Sequence, residues 1–385
     1  MICARENRAF RSLALALGLT ISQFIPAAQA TGERFMPTGI ELHLDLAQMG
    51  MGGMTVAVPG NSHAVFYNPA ALNHHEYFLD IAPINFGLDQ NALEVIDFIN
   101  HHKYEFDHFE DLDPQSQKDF IMASQEFDNK WVAAILTPYF GISTGGVGAG
   151  FYSVLHAEVK VDQGVFFPAI ALRGYQDDVL GMGTGTTLDL FGANYDFGAT
   201  LRLIQRKTFA PLRVDAHDAN RIEEVIRAAY HRFESYTEGF GVDIGLIRSF
   251  PNYKSDTSHF EIGFVIQDLV GELDGYVKPN VKLGASFSKS LRGFAREFLA
   301  GVEITDIFNR RGAGFAQRIN LGTQISILGK VVMIRMGVHE GYPTAGLGLK
   351  IYFVKIDYAF FTRELGTRPG QFPESTHRAQ ISLAF

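Results

Sequence analysis

The last eight residues of the chain alternate apolar and polar side chains up to the final position: Arg378-Ala379-Gln380-Ile381-Ser382-Leu383-Ala384-Phe385. Successive side chains of a strand point to opposite faces, so the odd-numbered residues would form an apolar face that ends on Phe385. The segment from Lys355 to Phe361 alternates in the same way. A soluble β-sandwich could give this period too. A transmembrane β-barrel is favoured because the alternation runs to the last residue of a chain that begins with an export signal.

That export signal occupies residues 1–30. Three arginines, Arg5, Arg8 and Arg11, precede an apolar core from Leu13 to Ile25, and Ala28-Gln29-Ala30 follows it. This order predicts a secretory signal peptide cleaved after Ala30, and the apolar run is too short for a membrane anchor helix. Because Cys3 is the one cysteine, the mature chain would have no disulfide, catalytic thiol or cysteine-ligated metal.

Composition narrows the classes of function. The chain is 46% hydrophobic and 19% charged, with a net charge of -9. Nucleic acid is not expected as a partner, because neutralising phosphates needs a concentrated basic surface. No further run approaches 18 apolar residues, so a membrane would be crossed by strands rather than helices.

The sequence predicts an all-β fold, a transmembrane antiparallel β-barrel over residues 77–385. Predicted strands in its first half lie near 77–88, 130–142, 146–161, 165–176, 178–189 and 194–208. The pattern gives about 14 or 15 strands, and the even number 14 is preferred because single-chain bacterial barrels favour even counts. One group of charged residues should share the lumen side of the wall: Asp243, Glu261, Lys282, Glu303, Arg318 and Asp357. Aromatic residues near strand ends should form interface girdles: Trp131, Tyr139, Tyr352, Phe353 and Phe361.

Two helical inserts interrupt the strands, at about 89–129 and 210–238. The first is acidic, and it carries a helix pattern over Asn91–His102 and a second start at Asp113-Pro114, where Asp would cap the helix and Pro would occupy its first position. It should extend into solvent between the first two strands. Its carboxylates lack the spacing of a calcium loop, which favours a solvated acidic face over a metal site. The second insert contains an amphipathic helix at 217–234, which should lie over the barrel mouth or along the membrane interface, with partner docking as the alternative.

Two glycine clusters, Gly145–Gly150 and Gly181–Gly185, resemble phosphate-binding loops only superficially, because neither is followed by Lys-Ser or Lys-Thr before a helix. Glycines two residues apart lie on one face of a strand, where they would make room for a plug or allow a bend. Residues 31–76 are the candidate plug. Their small, Gly-rich composition fits a compact irregular segment, although a simple N-terminal loop would also fit.

The plug candidate contains the sequence Phe66-Tyr67-Asn68-Pro69-Ala70-Ala71-Leu72. A Gly-rich segment followed by this sequence resembles the hatch of the FadL outer-membrane transporter superfamily. The resemblance implies a plug inside the barrel, with Asn68, Pro69 and Ala70 at the gate. The closing segment from Gly341 to Arg378 resembles the end of uncharacterised FadL-like and PorV-like outer-membrane proteins, a group that includes barrels labelled conjugal transfer TraF-like. FadL relatives move fatty acids or aromatic hydrocarbons, whereas PorV relatives assist secretion.

No catalytic motif is present, so we expect no enzymatic activity, cofactor or metal. The pairs His74-His75 and His101-His102 are not ready chelates, because adjacent side chains diverge. The predicted location is the outer membrane of a Gram-negative cell, and the expected partners are its lipid and, through Phe385, the barrel-assembly machinery. The predicted function is passive uptake of a small hydrophobic, fatty-acid-like ligand. The alternative is a structural or interaction component that assists a secretion or conjugation system.

Overall fold

A computed structural model describes residues 45–58, 63–74, 77–125, 131–162, 169–215, 233–251, 257–273, 275–310, 312–364, 366, 368–371 and 373–385. The predicted signal peptide lies outside these residues, as do positions 217–232 of the second predicted helix. Both therefore stay predictions.

The described strands form one antiparallel sheet that closes on itself, because the first strand pairs with the last as well as with its own successors. The strands are β1 Tyr77–Asp89, β2 Trp131–Leu136, β3 Tyr139–Thr144, β4 Val147–Asp162, β5 Ala169–Leu190, β6 Ala193–Asp215, β7 Phe233–Pro251, β8 Ser258–Leu273, β9 Asn280–Ser290, β10 Ala295–Ile304, β11 Ile319–Ile327, β12 Val332–His339, β13 Tyr342–Ile351, β14 Val354–Glu364 and β15 Pro373–Ala384. Both β2 and β3 pair with β1 and β4, so they are two halves of one crossing. The described sheet is therefore a closed barrel with the predicted 14 crossings.

Two predicted boundaries in the first half of the barrel are wrong. Residues 165–176 and 178–189 were predicted as two strands, but Ala169–Leu190 is a single strand. The polar pair Asp177-Asp178, which resembles a turn, instead meets Arg206 and Lys207 of β6 across the ladder. The insert predicted at 210–238 is also too wide, because β6 runs to Asp215 and β7 begins at Phe233.

The wall presents polar side chains to the lumen and apolar ones outward. On β6, Arg202 is 1% exposed, whereas its neighbours Leu201 and Leu203 are 42% and 46% exposed. Around the barrel the same outward positions hold large apolar residues, such as Phe151, Leu180, Ile262, Leu283, Leu321, Ile334, Leu347, Ile356 and Ile381. Such a belt is the surface that a lipid bilayer covers, and the polar lumen is its counterpart.

The predicted lumen charges are confirmed with one exception. Five of them are buried on the inner face: Asp243, Glu261, Lys282, Glu303 and Asp357. The exception is Arg318, which is only partly buried because it ends a 3₁₀ turn, Phe315–Arg318, just before β11 begins.

The connections differ in length at the two ends of the barrel. Tight turns, such as Gly145-Gly146 between β3 and β4, are typical of one end, which we call the short-turn end. The connections at the other end, the long-loop end, are longer, except for the two-residue turn Glu340-Gly341 between β12 and β13. The strands β5 and β6 contain 22 and 23 residues, whereas about 10 suffice to cross a bilayer. They therefore extend well beyond the apolar belt at the long-loop end.

The first insert is helical, as predicted, with α3 Ala92–His101, α4 Lys103–Asp107 and α5 Pro114–Ser124. Asp113 Oδ1 accepts the backbone N–H groups of Gln115 and Ser116 at 3.0 and 3.2 Å, so the predicted cap is confirmed. No helix in the described ranges is both long and apolar enough to pass through a membrane.

The insert does not simply extend into solvent. Its core residues Phe98, Phe109 and Phe120 pack against Val132 and Val159, which lie on the outer face of the wall. The helices thus cover apolar strand surface beyond the belt, where it would otherwise meet water.

Candidate functional site: the plug and the break in the barrel wall

The plug lies inside the barrel against a belt of glycines. The described part of the plug includes α1 Leu46–Gly50, α2 Ala64–Tyr67 and a 3₁₀ turn, Pro69–His74. A Cβ at Gly198 would lie 2.2 Å from the carbonyl carbon of Pro69, and one at Gly322 would lie 2.0 Å from the carbonyl oxygen of Met51. These distances are far below van der Waals contact, so the plug can approach the wall only where the side chain is a hydrogen atom.

The two glycine clusters of the sequence supply several of the wall glycines that face the plug. Gly148 and Gly183 face Leu72, and Gly150 and Gly181 face Phe66. Each pair also matches across the ladder, because Gly148 lies opposite Gly183 and Gly150 opposite Gly181. The prediction that these glycines make room for a plug is confirmed.

Polar side chains of the wall fasten the plug backbone. Glu303 Oε2 accepts the N–H groups of Thr55 and Val56 at 2.6 and 2.9 Å. Ser286 donates its hydroxyl to the carbonyl of Ala57 at 2.5 Å, and Gln267 donates to that of Phe66 at 3.1 Å. Backbone groups of the plug that have left water are thus satisfied by the lumen face of the barrel.

The predicted gate residues lie where two parts of the plug meet. Asn68 donates from Nδ2 to the carbonyl of Val56 at 2.7 Å, and its Oδ1 accepts the N–H of Ala70 at 3.2 Å. The side chain of Asn68 rests on Gly245, and Pro69 rests on Gly198. Asn68 therefore ties the plug together and seats it on β6 and β7, while a gating role for Asn68, Pro69 and Ala70 stays a prediction.

The last described residue of the plug, His74, is bound to the wall near the short-turn end of the barrel. His74 Nε2 donates to Asp196 Oδ2 at 3.1 Å, and its Nδ1 lies 3.9 Å from a carboxylate oxygen of Glu261. The hydrogen bond to Asp196 raises the pKa of His74 above its usual range, against the opposing effect of partial burial. The protonated form of His74 is therefore the one that the folded plug favours.

The wall is broken beside the plug, at Thr137-Pro138. This dipeptide separates β2 from β3, and the neighbouring strand β1 has a register shift between Ile81 and Ile84 in its pairing with β15. Pro83 lies in that shift, and neither Pro83 nor Pro138 has an N–H to donate to the ladder. Thr137 N still donates to the carbonyl of Asn85 at 2.7 Å, and Ser153 N donates to that of Pro138 at 3.2 Å. The break is therefore closed but has fewer ladder hydrogen bonds than the continuous wall.

A buried aromatic cluster lies directly behind the break. It comprises His63, Phe66 and Tyr67 of the plug and Tyr139 and Tyr152 of the wall, none of which is more than 3% exposed. The rings of His63 and Tyr139 stack at 4.0 Å, and the edge of Phe66 meets Tyr152 at 4.9 Å. Tyr139 follows Pro138 in the chain, so any movement of the break also moves this stack.

The cluster contains polar atoms that a ligand could use. Within the described residues, the hydroxyls of Tyr152 and Thr137 are buried without a hydrogen-bond partner. Such hydroxyls cost free energy unless a water molecule or a ligand satisfies them. The polar atoms that a water molecule or a ligand could satisfy beside these rings are thus two hydroxyl groups.

Charged networks flank the cluster within the lumen. Arg202 Nη2 donates to Asp243 at 2.8 Å and to Asp268 at 2.6 Å. On the other side Asp357 accepts from Arg335 at 2.7 Å and from Lys355 at 2.9 Å. These pairs satisfy charges that have left water, and they leave the aromatic cluster as an apolar zone between them.

Sequence reasoning missed this cluster and misplaced several aromatic residues. Tyr139 and Phe361 were predicted for an interface girdle, but both are buried inside the barrel, and Trp131 lies under the guanidinium of Arg173 at 3.8 Å. One feature of the sequence could have indicated the different position of Tyr139, because it directly follows Pro138, and a proline inside a predicted strand marks a break in the ladder. Tyr352 and Phe353 are exposed at the short-turn end, where a girdle is expected.

Three comparisons with known proteins found matches only among solved structures. No family model and no curated protein matches the chain. Among solved structures, the deltaS2 mutant of the monoaromatic hydrocarbon channel TodX is 10% identical, with 89% of this chain and 99% of that chain covered and a TM-score of 0.47. The monoaromatic hydrocarbon channel CymD is 10% identical, with coverages of 89% and 97% and a TM-score of 0.45.

CdiB from Acinetobacter baumannii is 8% identical over 81% of this chain, with a TM-score of 0.35, and this chain spans 60% of its length. Hydrocarbon channels are thus among the structural neighbours, as the resemblance to FadL predicts, whereas closeness to PorV-like and TraF-like proteins stays a prediction. At these TM-scores the likeness carries no conclusion about function.

Proposed function

We propose that this protein is an outer-membrane channel for passive uptake of small hydrophobic molecules. The observation that carries the proposal is the aromatic cluster, in which rings of the plug meet rings of the wall directly behind the break. A ligand enters from the long-loop end, which faces the outside in barrels with short periplasmic turns. It then displaces ring contacts of His63 or Phe66 and leaves through the break or past Asn68-Pro69-Ala70.

The energetics suit passage rather than retention. Burying about 150 Å² of an apolar ring at about 25 cal/mol/Å² gives about 4 kcal/mol, which corresponds to a dissociation constant of about 1 mM. Fatty-acid-like chains bury more surface and would bind more tightly. No energy source is needed, because the ligand moves down its own gradient into the membrane or the periplasm.

The test locks the break reversibly. Phe86 of β1 lies opposite Leu136 of β2, one position from the hydrogen-bonded pair Asn85 and Thr137. It is therefore a close, non-hydrogen-bonded pair whose geometry suits a disulfide. The double variant Phe86→Cys with Leu136→Cys should lose uptake of radiolabelled toluene and oleate in liposomes when oxidised, and regain it on reduction.

The matched control is Val302→Cys with Leu321→Cys on β10 and β11. This pair also faces outward, with Val302 41% and Leu321 44% exposed. It is also a non-hydrogen-bonded pair, because it lies three pairs from Thr305 and Arg318, where Thr305 N donates to the carbonyl of Arg318, and the two kinds of pair alternate. Its oxidation should leave uptake unchanged. Uptake that survives oxidation of the Phe86 and Leu136 pair would remove the break from the pathway. Absence of uptake in the unmutated protein would remove the transport function.

One observation favours the second candidate function, an interaction component of the outer membrane. The helical insert exposes Ile96, Tyr104 and Met122 on the side that faces away from the barrel. If the insert holds a secretion or conjugation partner, changing these three residues to serine should release a co-purifying protein without changing uptake. Uptake without any co-purifying partner would leave channel function as the better account.

A further inference from the structure

A compact group of potential metal ligands lies on the lumen face at the long-loop end. The group consists of His156 and Glu158 of β4 and Glu374 of β15. One ligand atom from each residue lies within 4.8 Å of the others, and all three side chains are buried. The proposed uptake function makes no use of this group.

Neighbouring side chains orient these ligands. Arg173 donates from Nε to Glu158 Oε2 at 2.5 Å, while Glu158 Oε1 faces His156 Nε2 at 2.8 Å. Arg363 donates to Glu374 Oε2 from two nitrogens, at 2.9 and 2.5 Å. The imidazole of His156 stacks on Tyr175 at 5.1 Å and 9°. An arginine thus holds Oε2 of each glutamate. In metal sites, hydrogen bonds of this kind from residues that do not touch the metal fix the orientation of the ligating carboxylates.

The charge of the neighbourhood also suits a cation. Asp89 is buried at the end of β1, opposite Thr376 of β15, two residues from Glu374 on the same face. Three carboxylates, those of Glu158, Glu374 and Asp89, thus lie near one another in a place with little water.

We propose that His156, Glu158 and Glu374 form a binding site for a divalent cation of the zinc type. One imidazole nitrogen and two carboxylate oxygens with an open fourth position match the ligand set that zinc accepts. Tetrahedral bonds of about 2.0–2.2 Å place ligand atoms about 3.4 Å apart. The ligand atoms here lie within 4.8 Å of one another, so side-chain movements of about 1 Å would complete the site. Calcium and magnesium fit poorly, because they require six or more oxygens.

The ion would connect β4 to β15 across the two intervening strands. Those strands, β1 and β2, carry both the wall break and the helical insert. Zinc would thereby hold the long-loop mouth together on the side of the barrel where the wall is broken at Thr137-Pro138.

The experiment uses the full chain in detergent after exhaustive dialysis against a chelator. Titration calorimetry with zinc chloride should show one saturable site per chain, and calcium and magnesium chlorides should show none. Glu374→Gln and His156→Gln should each weaken zinc binding at least 10-fold. The control Glu297→Gln, which removes an ion pair with Lys330 at the short-turn end, should bind zinc as the unmutated protein does.

Cobalt gives a readout that needs no variant. Cobalt(II) added to the unmutated protein should produce the intense visible absorption of a tetrahedral site, and zinc should abolish it. An ion-pair network without metal affinity would show no saturable zinc binding and no such absorption, which would overturn the proposal. Zinc binding that survives in both ligand variants, with folding verified by heat-dependent gel migration, would also overturn it.

Discussion

The contact between Glu303 and the plug offers a test of how firmly the plug is held. Glu303 is 1% exposed, and a single oxygen of its carboxylate accepts the N–H groups of Thr55 and Val56. The substitution Glu303→Gln keeps the shape and one acceptor oxygen but removes the charge. It therefore isolates the electrostatic part of this contact.

The expected loss follows from the strength of the two hydrogen bonds. A bond to a charged group contributes about 1.5–3 kcal/mol and a neutral one about 1 kcal/mol, so the substitution should cost about 1 kcal/mol per bond. The total of about 2 kcal/mol corresponds to about a 30-fold increase in the population in which this part of the plug is detached.

Hydrogen–deuterium exchange measured by mass spectrometry reports that population directly. Peptides that contain Thr55 and Val56 should exchange about 30-fold faster in the Glu303→Gln variant, while peptides from β10 itself should be unchanged. Glu297→Gln serves as the control, because its carboxylate faces Lys330 and not the plug. Equal exchange at Thr55 and Val56 in the variant and the unmutated protein would refute the inference that Glu303 anchors the plug.

Three further predictions concern the same plug. Gly198→Ala should dislodge the 3₁₀ turn of the plug, because the new Cβ would overlap Pro69, and the variant should show a higher single-channel conductance in planar bilayers. Gly271→Ala is the control, because its Cβ would have its nearest neighbours at 3.3–3.4 Å, and it should raise the conductance far less. Equal conductances in the two variants would contradict the steric argument. Raising the pH should loosen the end of the plug at His74, because the hydrogen bond to Asp196 raises the pKa of His74 in the folded protein. The stabilisation from protonated His74 is complete below the pKa of the unfolded chain, about 6.5, and is lost as the pH rises through the higher pKa of the folded protein. Hydrogen exchange near residue 74 should therefore increase with pH beyond the intrinsic rate, and His74→Gln should abolish that increase. Tyr139→Phe should preserve uptake, because the ring that stacks on His63 is kept. Tyr139→Ala removes that ring and should change the ligand concentration at which uptake saturates. The same uptake kinetics in both variants would place the ligand path elsewhere.

The period of two in the sequence determined which face each side chain takes. It sufficed for the inward direction of Asp243 and Asp357, because this is a local property of a pleated strand. The number of crossings needed, in addition, the preference of single-chain barrels for even counts. The helix start at Asp113-Pro114 was equally local, since a cap and its N–H partners lie within three residues.

Tertiary structure decided which residues meet. Arg202 pairs with Asp243 and Asp268, which are 41 and 66 residues distant, and period alone cannot give the register that brings them together. The same holds for the aromatic cluster, which joins the plug to two strands, and for His156 and Glu374, which meet only because the barrel closes. The outer-face position of the helical insert likewise depends on how far β4 and β5 extend beyond the belt, and strand length is set by cross-strand partners that lie elsewhere in the chain.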